Sequence, residues 1–428
     1  MAGLGAGISG LTTQPFWQTS PSFSPNDAIG VALIGCSSMG AYNLENCLKQ
    51  AGVVCRALCD VDSQRLQKLA AEISQKFNQR PILHRDWLKI LEMKSVDAVI
   101  IATPDHWHAV QTIYACKAGK HVYVEKPMAN SLGEAHLLAQ ASSKYQRIIQ
   151  VGQQQRSGLH WQEVVDLIRH GNLGKINMVD VWANFMYAKG ATREADQKPP
   201  AGIDYEMWLG PAPKRPYNPS RFHGNWRFQW DYGGGLLTDW GVHLLDIVCW
   251  AMDLSSPPLS VQAQGGIFRY PRRAIETPDT LQITYTYPDL IVNWKHLAGI
   301  ENGPFNRNYG LAFYGELGTL VVNRESWELI PNKENGKALS PAIPPQEGNV
   351  SDHPAHAADF IQALRANRAP ICPPEKALPA TTLAHLGNIA HRTQNQVQWQ
   401  PDKLAFSRNR AAERLIYPEF RTPWVLEE

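Results

Sequence analysis

Two short motifs place side chains that can move protons at spacings that suit catalysis. Lys126 lies between Glu125 and Pro127 at the end of an apolar run. Partial burial at such a strand end lowers the pKa of a lysine toward the working range, where it can hydrogen-bond a substrate hydroxyl or carbonyl. Asp239 and His243 are four residues apart and share one face of a predicted helix, which puts a carboxylate near a proton-accepting imidazole. The alternatives are a surface lysine in a turn and a helix cap beside a core histidine.

A glycine-rich turn indicates where a dinucleotide binds. Gly35-Cys-Ser-Ser-Met-Gly40 follows an apolar run and opens a helix, so backbone N–H groups there can hold a pyrophosphate. Ser37 replaces the middle glycine of the usual fingerprint, and Met39 lies in the same turn. Asp60 ends the second apolar run, 20 residues after Gly40, where an acid hydrogen-bonds the ribose of NAD and repels the extra phosphate of NADP. We therefore expect NAD, held tightly, rather than NADP; the alternative role for Asp60 is a helix cap.

Further candidates for the cofactor site follow later apolar runs. Thr103 and Pro104 begin a turn at the predicted carboxyl end of the sheet, where ligands bind in open α/β folds. His106 or His108, just beyond this turn, is expected to line the nicotinamide side, unless both are only polar residues at a helix start. Glu125 and Lys126 complete the predicted cofactor-binding set.

The substrate side is predicted from a cluster of aromatic residues. Five of the fourteen tryptophans fall within residues 201–250. Aromatic faces with interleaved hydrogen-bonding groups suit sugars, although any single member could instead be a core or interface residue. The predicted substrate-binding residues are Arg156, Arg221, His223, Trp226, Trp230, Tyr232, Asp239 and His243.

The overall composition excludes one class of function. The 428 residues carry 41 Lys+Arg and 39 Asp+Glu, a net charge of +2, whereas proteins that bind nucleic acid through bulk charge show a clear basic excess. The seven cysteines are scattered without metal-site spacing, which predicts buried thiols and no metal. No apolar run approaches the roughly 20 residues of a membrane span.

Two domains are expected to position these motifs. Over residues 28–152, continuous apolar runs alternate with helices, which predicts a Rossmann domain with a doubly wound parallel sheet. Residues 153–395 contain longer strands with partial alternation and a strong helix over 238–252. They predict a substrate-binding and oligomerisation α/β domain with a large, mostly antiparallel open sheet. Residues 396–428 are expected to pack on the body as a C-terminal tail.

The motifs occur in the order and spacing of the Gfo/Idh/MocA (glucose–fructose oxidoreductase / inositol dehydrogenase) family, which the chain resembles over roughly residues 28–425. The resemblance rests on Gly35…Gly40, Thr103-Pro104…His108, Glu125-Lys126-Pro127 and Asp239-x-Gly241-x-His243-x-x-Asp246. It implies a Rossmann domain followed by an α/β domain whose open sheet builds a dimer or tetramer. It also implies that Lys126, Asp239 and His243 form the catalytic set. Ser37 departs from the family pattern.

Three functions remain open at this stage. The first is an NAD-dependent oxidoreductase acting on a secondary hydroxyl of a sugar, glycoside or polyol, with His243 taking the proton, Lys126 polarising the oxygen and Asp239 orienting the histidine. The second, known within the family, is a redox-cycling glycosidase that oxidises C3 transiently and needs a further acid or base, for which Tyr232 and His223 are candidates. The third is a non-catalytic sensor on the same fold.

Signals for the cellular compartment disagree. Residues 1–26 carry no charged side chain, and residues 1–27 are interpreted as a disordered tail or the remnant of an export signal. The segments 222–235 and 421–424 also resemble often-exported bacterial members of the family. Periplasmic localisation is therefore expected, with the cytoplasm as the alternative, which the unpaired cysteines favour.

Overall fold

The first sheet carries the glycine-rich turn and the lysine motif. The computed structural model describes residues 28–187, 191–348 and 352–426, so the predicted tail at 1–27 lies outside the described residues. Six parallel strands are arranged in the order β3-β2-β1-β4-β5-β6. The elements are β1 (Ile29–Ile34), α1 (Ser38–Leu48), β2 (Val53–Cys59), α2 (Ser63–Phe77), β3 (Ile82–His84), α3 (Leu88–Leu91), β4 (Ala98–Ile101), α4 (Asp105–Lys117), β5 (His121–Val124), α5 (Leu132–Tyr145) and β6 (Ile149–Val151). The predicted doubly wound Rossmann sheet is confirmed.

The second sheet has eight strands, in the order β16-β13-β12-β11-β7-β10-β9-β8. Every neighbouring pair is antiparallel except β7 with β10. This confirms the predicted large, mostly antiparallel sheet. The elements are α6 (Leu159–Arg169), β7 (Ile176–Ala183), α7 (Tyr205–Leu209), α8 (Val242–Ala251), β8 (Ser260–Gly266), β9 (Thr280–Thr286), β10 (Ile291–Leu297), β11 (Tyr309–Gly315), β12 (Gly318–Val322), β13 (Ser326–Pro331), β14 (Lys333–Glu334), β15 (Lys337–Ala338), β16 (Ile343–Glu347), α9 (Asp352–Ala366), α10 (Pro374–Thr393), β17 (Trp399–Gln400), β18 (Ala405–Phe406) and α11 (Arg410–Glu413).

Two features of this domain differ from the sequence prediction. The helix expected over 238–252 begins only at Val242, because Leu237–Gly241 form a π-helical turn. Such wide turns are frequent at functional sites. Strands β13 and β16 were not among the predicted strands; β16 contains Pro344 and Pro345 and lies at the sheet edge, where proline is tolerated.

The two domains share their cores through the C-terminal helices. Phe360 and Ile361 of α9 are buried against strands β1, β2 and β4 of the first sheet. Helix α10 contributes Ala377 to the Rossmann core and Leu383 to the core of the second domain. Trp424 packs against the indoles of Trp87 and Trp107, which attaches the C-terminal segment to the Rossmann domain. The cleft between the domains is thus held from several sides.

A buried ion pair lies where the chain passes from the first domain to the second. Arg156 donates to Asp246 from Nε at 2.7 Å and from Nη2 at 2.9 Å, and Arg156 is only 5% exposed. A bidentate pair of this kind fixes both partners. The structure therefore corrects the predicted substrate contact of Arg156, because its guanidinium is occupied inside the protein and does not reach the cleft. Asp246 of the family motif is the partner that holds the Arg156 guanidinium in place.

All seven cysteines are buried free thiols, as expected. Within residues 28–187, 191–348 and 352–426, no cluster of three or more histidine, cysteine or acidic side chains could hold a metal ion. In the same ranges, no helix combines the length and apolar character needed to cross a membrane.

Removing one partner of the Arg156–Asp246 pair tests its contribution to stability. Arg156→Ala leaves a buried carboxylate uncompensated, so we expect the free energy of unfolding to fall by about 3–5 kcal/mol. Urea unfolding followed by tryptophan fluorescence measures it. The control is Lys89→Ala, which breaks the exposed pair with Glu92 and should leave the midpoint unchanged. Equal midpoints for the two variants would contradict the structural role of Arg156.

Candidate active site

A cleft of about 510 Å³ opens where the carboxyl ends of the parallel strands face the second domain. Gly35, Asp60 and Glu125 directly follow β1, β2 and β5, Thr103 lies two residues after β4, and all four line the cleft. From the other side it is closed by residues of the second domain and by His353 of α9. Parallel topology thus brings together motifs that are far apart in sequence.

The glycine-rich turn fits a dinucleotide pyrophosphate. Gly35 has φ +98°, and a Cβ built there would lie 2.5 Å from the carbonyl oxygen of Ala102. A Cβ on Gly40 would lie 2.0 Å from the carbonyl oxygen of Gly35. Both positions therefore require glycine. Ser37 is the N-cap of α1 but makes no side-chain cap bond, and it lines the cleft together with Met39. The first N–H groups of α1 face this end of the cleft, as phosphate binding requires.

Asp60 is fixed at the neighbouring strand end. Its Oδ2 accepts the backbone N–H of Cys36 at 2.7 Å, and its Oδ1 accepts that of Asp62 at 2.8 Å. Burial raises the pKa of Asp60, whereas these two hydrogen bonds and nearby Arg65 act to lower it. A carboxylate offers about four acceptor positions, so two remain for ribose hydroxyls. The geometry fits the predicted NAD contact.

Thr103, Pro104 and His108 are braced against the lysine motif. The ring nitrogens of His108 lie 2.6 Å from the carbonyl oxygen of Pro127 and 2.8 Å from that of Thr103. Burial lowers the pKa of His108 to about 4, so the ring is neutral and donates one hydrogen bond at a time. Its main contribution is to hold two loops of the cleft together. His106 instead contacts the carbonyl oxygen of Trp208 at 3.0 Å, inside an aromatic cluster.

Glu125 positions the residue that follows it. Its Oε1 accepts from Asn43 Nδ2 and from Gln154 Nε2, each at 2.8 Å, and the residue is buried. Burial raises the pKa of Glu125, which Lys126 and these amides oppose. Glu125 thus connects helix α1, strand β5 and the start of the second domain, and it fixes the backbone from which Lys126 extends.

Lys126 and Asp239 form the centre of the cleft. Lys126 Nζ donates to Asp239 Oδ1 at 2.8 Å and to the Asp239 carbonyl oxygen at 2.9 Å. Tyr187 donates its hydroxyl to Asp239 Oδ2 at 2.5 Å, and Arg227 Nε lies 3.4 Å from Oδ1. Burial alone would raise the pKa of Asp239, but Lys126 and Arg227 outweigh it and hold the pKa well below its usual value. Asp239 is therefore ionised and keeps an ammonium group in the cleft.

His243 lines the same end of the cleft and is not bonded to Asp239. The residue is 7% exposed, and its Nδ1 has no hydrogen-bond partner among the described residues. Burial, Lys126 and Arg324 lower the pKa of His243 well below 6.5, and Asp239 only partly offsets them. Asp239 accepts a hydrogen bond from Lys126, and its expected role in orienting His243 stays a prediction. The ring of His243 is neutral.

The predicted substrate residues divide into two groups. Trp226 and His223 line the cleft, but His223 Nε2 lies 3.0 Å from Asp62 Oδ2, beside the ribose-binding end. Three others are placed elsewhere. Arg221 is paired with Asp196, Trp230 lies under the guanidinium of Arg392, and Tyr232 is fully buried against Trp208. Their predicted substrate contacts are corrected to structural roles, because their polar groups or rings are used within the fold.

Four residues of the reacting end were not assigned from the sequence. They are Tyr187, Trp240, Arg324 and His353. Tyr187 follows β7, Arg324 occupies the turn between β12 and β13, and His353 lies in the first turn of α9. Trp240 lies within the Asp239–Asp246 motif, but the other three belong to no local motif, so only the tertiary fold brings them to the site.

The fold and the cleft are those of a two-domain, dinucleotide-dependent oxidoreductase. Comparison with protein families makes the assignment specific. The oxidoreductase family model for an NAD-binding Rossmann fold matches residues 29–153, and the model for its C-terminal alpha/beta domain matches residues 162–302 and 330–426. The chain belongs to the Gfo/Idh/MocA oxidoreductase family and contains its NAD-binding domain.

Curated relatives match only part of the chain. A glycosyl hydrolase family 109 protein of Solibacter usitatus is 29% identical over 182 residues, which are 41% of this chain and 42% of that protein. A protein of the same description from Shewanella sp. (strain W3-18-1) is 25% identical over 154 residues, 35% of this chain and 34% of that protein. The match therefore spans less than half the length of these relatives.

Solved structures resemble the chain over most of its length. Aldose-aldose oxidoreductase from Caulobacter crescentus, complexed with glycerol, is 19% identical with a TM-score of 0.64, covering 87% of this chain and 99% of that chain. The WlbA dehydrogenase from Bordetella pertussis, in complex with NADH and UDP-GlcNAcA, is 21% identical with a TM-score of 0.63 and the same coverage, 87% and 99%. At these identities the likeness shows the fold.

The charge of Asp60 is expected to select the cofactor. Asp60→Asn keeps the size of the side chain but removes the repulsion of a 2′-phosphate and one charged acceptor for ribose. We expect the affinity for NADH to fall about tenfold. The ratio of the affinity for NADH to the affinity for NADPH should fall by more than that, because the 2′-phosphate is no longer repelled. Fluorescence titration with both nucleotides measures this. Glu72→Gln on α2, which does not line the cleft, is the control, and an unchanged NADH/NADPH ratio in Asp60→Asn would refute the assignment.

Proposed function

We propose that the protein is an NAD-dependent oxidoreductase acting on a secondary hydroxyl of a sugar, glycoside or polyol. The observation that carries the proposal is the pairing, at one end of the cleft, of a cation and a neutral base. Lys126 is held by ionised Asp239, and neutral His243 lines the cleft beside it. A hydroxyl placed between them meets both a hydrogen-bond donor and a proton acceptor.

The chain's own residues then have distinct tasks. Bound NAD supplies the acceptor for the hydride of the carbinol carbon. His243 accepts the hydroxyl proton, and Lys126 stabilises the oxygen as negative charge develops on it. Asp239 keeps Lys126 in place, while Tyr187 and Arg227 fix Asp239 from its other sides. Trp226 and Trp240 provide apolar surface along the cleft, which suits the C–H face of a sugar.

A second function is favoured by a specific observation. The matched relatives from Solibacter and Shewanella are described as glycosyl hydrolase family 109 proteins. We therefore keep the redox-cycling glycosidase as a candidate: C3 is oxidised, the aglycone is eliminated, water adds and the hydride returns. Of the two candidates for the additional acid or base, Tyr232 is 0% exposed, whereas His223 lines the cleft beside Asp62.

One assay distinguishes these functions. Purified protein is mixed with NAD and a panel of 4-nitrophenyl glycosides, free sugars and polyols, and NADH absorbance and nitrophenol are followed together. The oxidoreductase forms NADH in proportion to oxidised substrate. The glycosidase releases nitrophenol with no net NADH and with NAD that copurifies. Nucleotide binding without turnover of any member would instead support the sensor.

The pH profile tests the role of His243. Only the neutral imidazole accepts a proton, and its pKa lies well below 6.5. The acid limb of kcat/KM for oxidation is therefore expected below pH 6.5, measured from about pH 4.5 to 9. His243→Gln should lower kcat/KM by about 10²–10⁴-fold and remove that limb. An acid limb at or above pH 6.5, or one that persists in the variant, would exclude His243 as the base.

We also propose that the open sheet forms a homo-oligomer. The face opposite helices α6, α8 and α10 exposes apolar side chains on three strands. They are Met178, Ile291, Leu297 and Ile330, exposed by 38%, 36%, 41% and 41%. A face of this kind is suited to pairing with a second copy, as a dimer or tetramer. Light scattering on the purified protein measures the oligomeric state, and a monomer at micromolar concentration contradicts the proposal.

Localisation in the periplasm is a further proposal. It is supported by the uncharged segment at residues 1–26, while the seven free thiols favour the cytoplasm. Cell fractionation with antibody detection decides between them.

A further inference from the structure

Arg324 is presented to the cleft by a rigid turn. Asn323 Oδ1 accepts the backbone N–H groups of Glu325 at 3.1 Å and Ser326 at 2.9 Å, which closes the turn between β12 and β13. Tyr309 donates its hydroxyl to Glu325 at 2.7 Å on the same turn. The turn thus fixes the backbone of Arg324, whose side chain lines the cleft.

The guanidinium itself is held without a carboxylate. Its carbon lies 4.6 Å from the ring centre of Trp240, and its Nε donates to Gln155 Oε1 at 3.1 Å. Among residues 28–187, 191–348 and 352–426, no acidic side chain forms an ion pair with Arg324; Asp352, whose pKa the charge of Arg324 acts to lower, lies beyond ion-pair distance and does not line the cleft. By contrast, Lys126 and Arg227 share Asp239. A cation that is fixed by stacking and a neutral amide retains its capacity for an anion.

Trp240 connects this cation to the reacting end. The indole of Trp240 lies 6.4 Å from the ring of His243, measured between centroids, with Arg324 over its face. Arg324 and His243 thus contact the same indole from the cleft, so one ligand can reach both side chains.

The charges around this end are predominantly positive. Lys126 and Arg227 share one carboxylate, Asp239, and Arg324 adds a third cation to this end of the cleft. Asp60 lies at the ribose-binding end, and the two remaining carboxyls that line the cleft, Asp105 and Glu125, are buried, which raises the pKa of each. Burial, Arg324 and Lys126 lower the pKa of His353 to about 4, which reports the same positive field. The net charge of +2 for the whole chain conceals this local excess.

We propose that the substrate carries an anionic substituent, a uronate carboxylate or a sulfate ester, and that Arg324 binds it. The inference rests on the proposed function and names the substrate class of the same site. A neutral hexoside would leave Arg324 with no ionic partner in a partly buried cleft, which is the costlier arrangement. An anionic sugar supplies that partner, and a planar guanidinium matches a carboxylate or sulfate through two parallel N–H bonds.

Matched substrates and variants test the proposal. The substrates are 4-nitrophenyl glucoside, glucuronide and glucoside 6-sulfate in both anomeric forms, assayed with the NAD-loaded full-length protein for NADH and nitrophenol. We expect kcat/KM to favour an anionic glycoside by at least about tenfold, and Arg324→Met to lower that preference by about the same factor. Arg324→Lys should retain part of it. Arg80→Met removes the same charge from an exposed position outside the cleft and should leave the preference unchanged.

Binding gives a readout that does not depend on turnover. Tryptophan fluorescence titrated with glucuronate, glucose 6-sulfate and glucose should show tighter binding of one anion, weakened at least tenfold in Arg324→Met. The stronger anion identifies the substituent as carboxylate or sulfate. Equal preference for charged and neutral ligands, or an anion preference unaffected by Arg324→Met, overturns the proposal. If the anion binds through Arg324 but no glycoside turns over, the proposed function fails while the anion site stands.

Discussion

The buried ion pair between Lys126 and Asp239 is the constraint on which the rest of the site depends. Burying an ammonium and a carboxylate is costly unless their remaining hydrogen bonds are satisfied. Here Asp239 provides both a carboxylate oxygen and its main-chain carbonyl to Lys126, while Tyr187 and Arg227 occupy the rest of the carboxylate. The pair comes from two domains, so the correct arrangement exists only when both are folded and docked.

Several distant features serve this pair. The π-helical turn at Leu237–Gly241 lets Asp239 face the Rossmann domain, and Glu125 anchors the strand end that carries Lys126. The Arg156–Asp246 pair fixes the start of the second domain to helix α8, which carries His243. Helices α9 and α10 add core contacts on both sides. The cleft is therefore positioned by buried polar contacts as well as by apolar packing.

Local sequence was sufficient for the parts of the site that parallel strands assemble. Gly35, Asp60 and Glu125-Lys126 could be placed because each follows an apolar strand, and carboxyl ends meet at one edge. Tertiary placement could not be foreseen. The sequence motif does not reveal that Arg156 faces inward to Asp246, that Asp239 accepts a hydrogen bond from Lys126, or that the tryptophan-rich segment mostly builds its own aromatic cluster. Tyr187 and Arg324 belong to no motif: long-range strand pairing brings Arg324 to the cleft wall and Tyr187 to the carboxylate of Asp239.

The most direct test asks whether Lys126 and Asp239 act as one unit. A double-mutant cycle with Lys126→Met, Asp239→Asn and the combined variant is measured as kcat/KM on the best substrate, with NADH affinity as the control for folding. The account predicts that kcat/KM falls about 10²-fold or more in each single variant. It also predicts that the double variant is no less active than the less active of the two single variants. Fully additive losses, or full turnover in either single variant, would contradict it.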